Sequence, residues 1–479
     1  MRGRSGGRSM TLNHRTGLVI AGWSGAVLLA LLLFPQHTIT RAAAPASLDS
    51  QLTAVLAAQG FTGKIESTLE QRLGRPLNPQ LADLGRLLWF DTITGLNDDN
   101  TCAGCHSPTN GFGDSQPIAI GIENNGIVGP DRQGPRNMRR APSVINTAFF
   151  PALMWNGRFS SLSGDPFDNR QGFLFPAPED LSLSDQAHLL DAQAFIPPTE
   201  RTEVTGFQFP GDHDAIRGEV VHRLNNIPAY RTRFAQVFPA VAAGGSITFP
   251  MVAQALAEFE FTLTFATAPI DRYARGDLEA MTTEEKEGAL LFFGRAGCVA
   301  CHAVKGQSNE MSSDFQEHDI GVPQLVPHTT NNQFDGSGAN EDDGREEVTG
   351  NPADRYTFRT PSLRNVALNA AFMHDGAFTS LDAAIRHHLN VVQSAHQYSP
   401  QSQHLPADLS GPIGPLVPIL LRLDPKLRTP RHLSDEEVQE LVAFVQDGLL
   451  DPRADPEHLK GLVPSSLPSG RKPLTFEFP

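Results

Sequence analysis

The chain has 479 residues, 40% of them hydrophobic, which is enough to bury a substantial core and to divide into two domains. This composition excludes fibrous and disordered proteins, and the formal net charge of -15 at pH 7 makes nucleic acid a poor partner. An acidic protein of this kind is compatible with attraction of a basic redox partner, at a rate that falls as salt rises.

The N-terminal segment has the layout of a secretory signal. Arginines such as Arg4 and Arg15 precede an apolar run from Gly17 to Phe34, and an alanine-rich stretch follows around Ala44. This order predicts that residues 1–46 are a signal peptide and that the protein is exported to the periplasm. A retained membrane anchor is the alternative, because the apolar run is close to the roughly 17–25 residues that a transmembrane helix needs.

Apolar periodicity predicts two helices in the first half of the chain. Leu81–Phe90 has helical spacing, and turn-rich residues then lead to Cys102. Phe249–Phe265 is long and mostly apolar, which also favours a helix. Pro269 and the polar residues after it indicate a linker, so we place a domain boundary at Gly276.

Capping signals predict two more helices in the second half. A capping box that begins at Thr282 starts a helix through Phe293, and glycines then end the helix before Cys298. Gln307–Arg355 is rich in Asn, Asp, Gly and Ser without sustained periodicity, which predicts a long surface loop. A second capping box begins another helix at Ser434.

All four cysteines lie in two Cys-x-x-Cys-His motifs. Disulfides would be the first expectation in an exported chain, but a His directly after each pair is typical of covalent haem c attachment. A structural zinc site is the alternative, and it would need four ligands clustered in space. Two equal motifs far apart in the chain favour two covalently bound haem c groups, with these thioether cysteines and axial histidines: Cys102, Cys105 and His106; Cys298, Cys301 and His302.

The segments GRLLWF and GALLFF, each shortly before a motif, indicate two diverged copies of one helical module. The sequence therefore predicts a mainly α fold with two cytochrome c-like haem domains and long loops. We assign residues 47–276 to an N-terminal haem domain, 277–455 to a C-terminal haem domain and 456–479 to a C-terminal tail.

Four further segments resemble the bacterial di-haem cytochrome c peroxidase and MauG family. Residues 141–146 (APSVIN) and 155–158 (WNGR) look like the APTxxN and WDGR segments of that family. Residues 358–366 (FRTPSLRNV) and 372–376 (FMHDG) are similar to its F-x-T-P-x-L-R-N-V and Y-M-H-D-G segments. The resemblance covers roughly residues 81–449.

At the first haem, the resemblance implies an open site for peroxide. Gln193 and Glu203 match the distal Gln and Glu of the family, after an insertion, and would position peroxide and move its proton. A surface role for Glu203 is the alternative, because the match crosses that insertion. The distal His that many peroxidases of this family carry soon after the motif is missing, since only His188 and His213 lie between residues 107 and 220.

At the second haem, the family carries a distal Met or Tyr at a fixed interval after the H-D-G segment. That position is His388 here, which implies a haem with two axial histidines and a lower potential than a His/Met pair gives. His387, one residue away, and Met373 are the alternatives.

Near the boundary between the halves, one residue matches a family position and others depart from the family. Trp155 stands at the position of a tryptophan that relays electrons between the haems, with simple packing as the alternative. Many members hold calcium there, but Arg140 replaces the Asn ligand and Asn369–Ala371 replaces a Thr-x-Pro segment. Calcium is therefore doubtful for this chain.

The resemblance implies a peroxidase that reduces hydrogen peroxide to water. The first haem would be peroxidatic, and the second would accept electrons from a small donor such as a cytochrome c or cupredoxin. One alternative is a MauG-like oxidase that acts on a protein or organic substrate, and another is a non-enzymatic di-haem electron carrier. A membrane would be a partner only if the N-terminal segment is retained.

Overall fold

The computed structural model describes residues 46–175, 183, 186–327 and 341–479, and Ala46–Pro479 form one unit. The predicted signal peptide lies outside the described residues except for Ala46, as does part of the predicted loop Gln307–Arg355. The described chain is mainly helical with a few short strands, so the predicted fold class is confirmed. None of its helices is both long and apolar enough to cross a membrane.

The helices follow the chain from the N-terminal side of the first motif to the C-terminal segment. They are α1 Leu48–Ala58, α2 Leu69–Leu73, α3 Pro79–Phe90, α4 Cys102–Cys105, α5 Leu189–Gln193, α6 His213–Asn225, α7 Pro228–Val237, α8 Pro239–Ala242, α9 Phe249–Thr262, α10 Pro269–Ala274, α11 Thr283–Phe293, α12 Glu346–Thr349, α13 Leu381–Leu389, α14 Val391–Gln397, α15 Leu416–Leu420, α16 Asp435–Ala443 and α17 Pro456–Leu459. Two π-helical turns, Arg201–Thr205 and Phe444–Gly448, interrupt the regular pattern.

The strands form three small sheets. They are β1 Ile127–Val128, β2 Ala152–Leu153, β3 Phe159–Ser161, β4 Phe173–Leu174, β5 Glu317–His318, β6 Phe358–Arg359 and β7 Thr475–Phe476. Strands β2, β3 and β4 pair antiparallel, as do β5 and β6, whereas β1 pairs with β7 in parallel. The segment that the sequence assigned to a C-terminal tail is thereby joined to the first half of the chain.

Helix α3 brings the chain to the first motif and packs against α9. The Asn78 side chain caps its N terminus and Pro79 occupies the first turn, as is favourable at a helix start. Gly85 allows the two backbones to meet, because a Cβ atom there would lie 1.8 Å from the carbonyl oxygen of Ala255 on α9. The predicted helices at Leu81–Phe90 and Phe249–Phe265 are confirmed, although α9 ends at Thr262.

The second half repeats this arrangement. The predicted capping boxes at Thr282 and Ser434 are confirmed, and they begin α11 and α16. A Cβ atom at Gly288 of α11 would lie 1.9 Å from the carbonyl oxygen of Glu440 on α16. Gly85 and Gly288 are the first residues of the GRLLWF and GALLFF segments. A glycine at the equivalent position thus allows close helix packing before each motif.

Two large hydrophobic clusters accompany these helix pairs. The first contains α3 and α9 and also takes in Leu459 and Leu467 from the C-terminal segment. The second contains α11 and α16 together with Leu52 and Leu56 of α1. Helix α1 therefore packs with the second motif's helices although it precedes the first motif in sequence. The domain boundary at Gly276 stays a prediction.

Candidate haem-binding cavities

A cavity of about 640 Å³ adjoins the first motif. Helix α4 spans the two cysteines of that motif, and residues three apart on a helix share one face, so both thiols face the same side. The cavity brings together six of the predicted site residues: Cys102, Cys105, His106, Trp155, Gln193 and Glu203.

His106 is oriented as a metal ligand would be. Its Nδ1 atom donates a hydrogen bond to the carbonyl oxygen of Pro142 at 2.9 Å, which leaves Nε2 without a proton and available to a metal. Burial lowers the pKa of His106 to about 4, so the imidazole is neutral at pH 7, the form that binds iron. These contacts fit a proximal haem ligand.

Glu203 enters the same cavity from a π-helical turn. Such turns are frequent at functional sites. The turn crosses Gly121 so closely that a Cβ atom there would lie 2.0 Å from the carbonyl oxygen of Thr202. Burial raises the pKa of Glu203 to about 7; the Glu200 carboxylate adds to the rise and Arg158 opposes it. A carboxyl group with this pKa can both give and take a proton near neutral pH.

His106 is the only histidine among the described residues that line this cavity. His188 is buried elsewhere, where its Nε2 donates to the carbonyl oxygen of Ala148 and its Nδ1 accepts the backbone N–H of Leu190, both at 3.0 Å. His188 caps the N terminus of α5, whose last residue is Gln193. It therefore has a structural role, and the described cavity wall contains no second imidazole opposite His106.

A second cavity, of about 210 Å³, adjoins the second motif. Its wall includes Cys298, Cys301 and His302, and His388 faces His302 with the two ring centroids 6.3 Å apart. This separation leaves room for one metal atom with bonds of about 2 Å to a nitrogen of each ring. The Nδ1 atoms donate to the carbonyl oxygens of Ser312 and Ala384, at 3.0 and 2.8 Å, so that both Nε2 atoms are available.

His387 has no free ring nitrogen. Its Nε2 donates to the carbonyl oxygen of Ile320 at 2.9 Å, and its Nδ1 accepts from the Ser394 hydroxyl at 3.1 Å. Because successive residues of a helix are turned by about 100°, His387 and His388 of α13 face different surroundings. Met373 does line the second cavity, but the ring that faces His302 belongs to His388.

Trp155 lies in the wall that the two cavities share. It is buried, and its Nε1 donates to the carbonyl oxygen of Arg140 at 2.9 Å. The backbone N–H of Arg359, in the second half, donates to the Trp155 carbonyl oxygen at 2.6 Å. The side chains common to both cavities are Arg140, Pro142, Ser143, Phe150, Trp155 and Arg359.

The residues at the boundary between the halves do not fit a calcium ion. The guanidinium group of Arg140, which is 3% exposed, donates to the carbonyl oxygens of Asp114, at 3.0 Å, and of Ala371. Calcium requires six to eight oxygen ligands. Here the Arg140 guanidinium group is the cation that binds these carbonyl oxygens. The Arg140 backbone N–H also donates a hydrogen bond to the carbonyl oxygen of His374.

Sequence reasoning missed two titratable groups at these cavities. Glu260, inside the apolar helix α9, lines the first cavity, and burial raises its pKa to about 8. His318 lies between the carboxylates of Asp314 and Asp424, with nitrogen–oxygen distances of 3.0 and 2.7 Å. Neither belongs to a motif, and only long-range contacts reveal them. Both nitrogens of His318 already have partners, so its proximity to Cys301 does not make a separate metal site.

Comparison with known proteins assigns the family. Residues 79–279 match the family model described as di-haem cytochrome c peroxidase. The chain is 30% identical over 354 residues to the methylamine utilization protein MauG of Methylorubrum extorquens, a match that covers 74% of this chain and 80% of the relative. The chain belongs to the di-haem cytochrome c peroxidase family.

Other members of this family show the same relationship. The chain is 29% identical over 341 residues to the cytochrome c551 peroxidase of Nitrosomonas europaea, with 71% of this chain and 81% of the relative covered. The solved structure of a MauG-like protein associated with microbial copper homeostasis has the same fold, with a TM-score of 0.56, 24% identity and coverage of 79% of this chain and 92% of that one. The predicted family and oxidoreductase class are confirmed.

Proposed function

We propose that this di-haem oxidoreductase reduces hydrogen peroxide to water in the first cavity, with electrons received at the second. The observation that carries the proposal is the contrast between the cavities: among the described residues, one histidine and the Glu203 carboxyl group line the first, and two facing histidines line the second. Each turnover would consume one hydrogen peroxide, two protons and two electrons and would yield two water molecules.

The chain would hold two haem c groups through its two motifs. Cys102 and Cys105 would form the thioether bonds of the first haem, and His106 would bind its iron. Cys298 and Cys301 would do the same for the second haem, and His302 and His388 would bind its iron. When bound, the haem irons supply the redox chemistry and, at the first site, a position where peroxide can bind.

Glu203 would manage the protons of the reaction. A carboxyl group with a pKa of about 7 can accept the proton of incoming peroxide on a carboxylate oxygen and return it to the oxygen that leaves as water. The Gln193 side chain, on the same cavity, would orient the peroxide by hydrogen bonding. Arg158 pairs with Glu200 at 2.5 Å and thereby limits how strongly Glu200 acts on Glu203.

Trp155 would assist electron transfer between the two haems. It is the larger of the two aromatic side chains in the shared wall, the other being Phe150, and its hydrogen bond to Arg140 fixes the orientation of the indole ring. The protein would work without calcium, because Arg140 provides positive charge and hydrogen bonds at the boundary. We further propose that the protein acts in the periplasm with a small soluble electron donor.

Electron paramagnetic resonance of the oxidised protein, combined with a steady-state peroxide assay, tests the proposal. We expect one high-spin and one low-spin ferric signal, two haems per chain by mass, and turnover of peroxide without prior reduction of the enzyme. Two low-spin signals without turnover would instead identify a di-haem electron carrier.

A MauG-like oxidase is the second candidate. It is favoured by the first cavity, whose described wall lacks a second histidine. His388 stands where the family carries Met or Tyr, and this difference argues against strict equivalence with the MauG branch. Peroxide consumption that depends strictly on an added electron donor would support the peroxidase, whereas oxidation of an added protein or organic substrate would support the oxidase.

A further inference from the structure

The two motifs differ in their exposure to solvent. In the first, the residues between the cysteines, Ala103 and Gly104, are buried. In the second, Val299 is half-buried and Ala300 is exposed. A partner protein could therefore reach the second motif directly, whereas the fold covers the first.

Basic side chains surround this exposed motif. The Lys426 ammonium group lies 3.3 Å from the carbonyl oxygen of Ala300 and 3.6 Å from the Cys301 sulfur. The Arg431 guanidinium covers Gly297, where an added Cβ atom would lie 2.6 Å from its central carbon. Three more basic residues are exposed: two flank the motif in the chain, and the third lies between Lys426 and Arg431. We call the set the basic rim: Arg295, Lys305, Lys426, Arg428 and Arg431.

The carboxylates in contact with the rim have partners within the protein. Asp314 and Asp424 are hydrogen-bonded to His318, and their side chains are only 19% and 16% exposed. Glu437 pairs with Arg295. Lys305 and Arg428 have no carboxylate partner among the ion pairs of the described residues, and Lys426 approaches Asp314 only to 3.9 Å. The five basic residues of the rim thus stand against four carboxylates that approach them, of which Asp314 and Asp424 share His318, and Glu437 and Glu440 lie near Arg295, in a chain whose formal net charge is -15.

We propose that the basic rim docks the electron donor and that this donor is a small redox protein with an acidic surface around its own redox centre. This inference rests on the proposed function, because it assigns electron uptake to the second haem. It reverses the expectation from net charge, which favoured a basic partner. At physiological ionic strength charges are screened within about 8 Å, so a docked protein responds to the rim more than to distant carboxylates.

A charge-reversed donor pair tests the proposal. Reduced small cytochrome c with its native basic surface is compared with the same cytochrome after succinylation of its lysines. At an ionic strength of about 0.1 M, where the Debye length is about 10 Å, we expect kcat/KM to be about tenfold or more higher for the succinylated donor, mainly through KM, and to fall as more salt is added. Isothermal titration calorimetry of the oxidised proteins should show tighter binding of the succinylated form, which is a readout independent of turnover.

A double variant with Lys305→Glu and Arg428→Glu should remove this preference. Lys460→Glu is the control. Lys460 is exposed and follows Leu459 of α17, which belongs to the first hydrophobic cluster and not to the surroundings of the second motif. We expect the double variant to lose about tenfold or more in kcat/KM for the succinylated donor, and the control to retain the wild-type value. Haem content and the low-spin spectrum verify that each variant is folded.

Equal or better binding of the native basic donor, unchanged in the double variant, would overturn the proposal. The proposed function is tested separately by peroxide turnover with a small-molecule reductant. If that turnover is absent, the peroxidase assignment fails; if it is present without any preference for the acidic donor, only the docking inference fails.

Discussion

At the scale of single residues, the proposed proton transfer by Glu203 can be tested by substitution. We expect Glu203→Gln to lower peroxide turnover by about 10²–10⁴-fold, because glutamine keeps the shape of the side chain but loses the proton that general acid–base catalysis requires. Steady-state kinetics measure this, with both haem spectra as the test of integrity. Glu219→Gln, on the outer part of α6, is the control and should change little. Unaltered kinetics in Glu203→Gln would assign the proton transfer to another group.

The neighbouring histidines of α13 give a second prediction. His388→Ala should convert the low-spin haem spectrum to high-spin, because it removes the ring that faces His302. His387→Ala should keep the low-spin spectrum and lower the melting temperature, because His387 is fully buried with both nitrogens hydrogen-bonded. Optical and paramagnetic resonance spectra distinguish the two variants, and the reverse result would make His387 the ligand.

Glu260 makes stability depend on pH. Burial raises its pKa from 4.5 to about 8, so its contribution to stability is complete below pH 4.5 and is lost as pH rises towards 8. We expect the wild type to lose more of its melting temperature than Glu260→Gln between about pH 5 and pH 8, because glutamine does not ionise. The melting temperature of each protein is measured at several pH values. If it falls equally for the two proteins across this range, Glu260 does not titrate as a buried acid.

At the scale of elements, the closest helix contacts depend on single glycines. Gly85→Ala should lower the free energy of unfolding by about 1–3 kcal/mol or more, because the added methyl group would force α3 away from α9. Gly218→Ala is the matched control within helix α6: no atom lies within 4 Å of its Cβ position, and it should stabilise the protein by roughly 0.5–1 kcal/mol. Chemical denaturation measures both, and equal effects would refute the packing argument.

Local patterns in the sequence were sufficient to predict these elements. The capping boxes at Thr282 and Ser434 and the apolar spacing of Leu81–Phe90 act within a few residues, so they predicted helices that the structure contains. The sequence could not show that residues 456–479 pack on the first half, because a parallel β1–β7 pair joins residues that are remote in the chain.

For the candidate sites too, some features could be predicted from the sequence and others could not. The motifs themselves locate Cys102, His106 and their counterparts in the second half. The choice between His387 and His388 depends on which ring nitrogens have hydrogen-bond partners, and a sequence does not contain that information. The raised pKa of Glu260 and the contact of Arg140 with Ala371 depend on residues distant in the chain. Composition and motif spacing therefore could not predict either of them.

At the scale of the whole molecule, Arg140 links the two halves through the carbonyl oxygens of Asp114 and Ala371. We expect a calcium chelator to leave the melting temperature of the wild type unchanged and Arg140→Gln to lower it, because the glutamine loses the charge and most of the hydrogen bonds. Arg170→Gln, whose side chain is 86% exposed in the wild type, should have no effect. A chelator that destabilises the wild type would contradict the assignment.

The parallel pairing of β1 with β7 also constrains the order of maturation. Leu459 and Leu467 complete the first hydrophobic cluster, Ser469 donates to the Asp91 carboxylate at 2.9 Å, and Glu477 accepts from the Asp131 N–H at 3.0 Å. Synthesis proceeds from the N terminus, so the first hydrophobic cluster, against which Cys102 packs, cannot be completed until these late residues have emerged. We therefore expect haem attachment at Cys102 and Cys105, as proposed above, to be possible throughout synthesis of the second half, because the C-terminal segment completes the first hydrophobic cluster only afterwards.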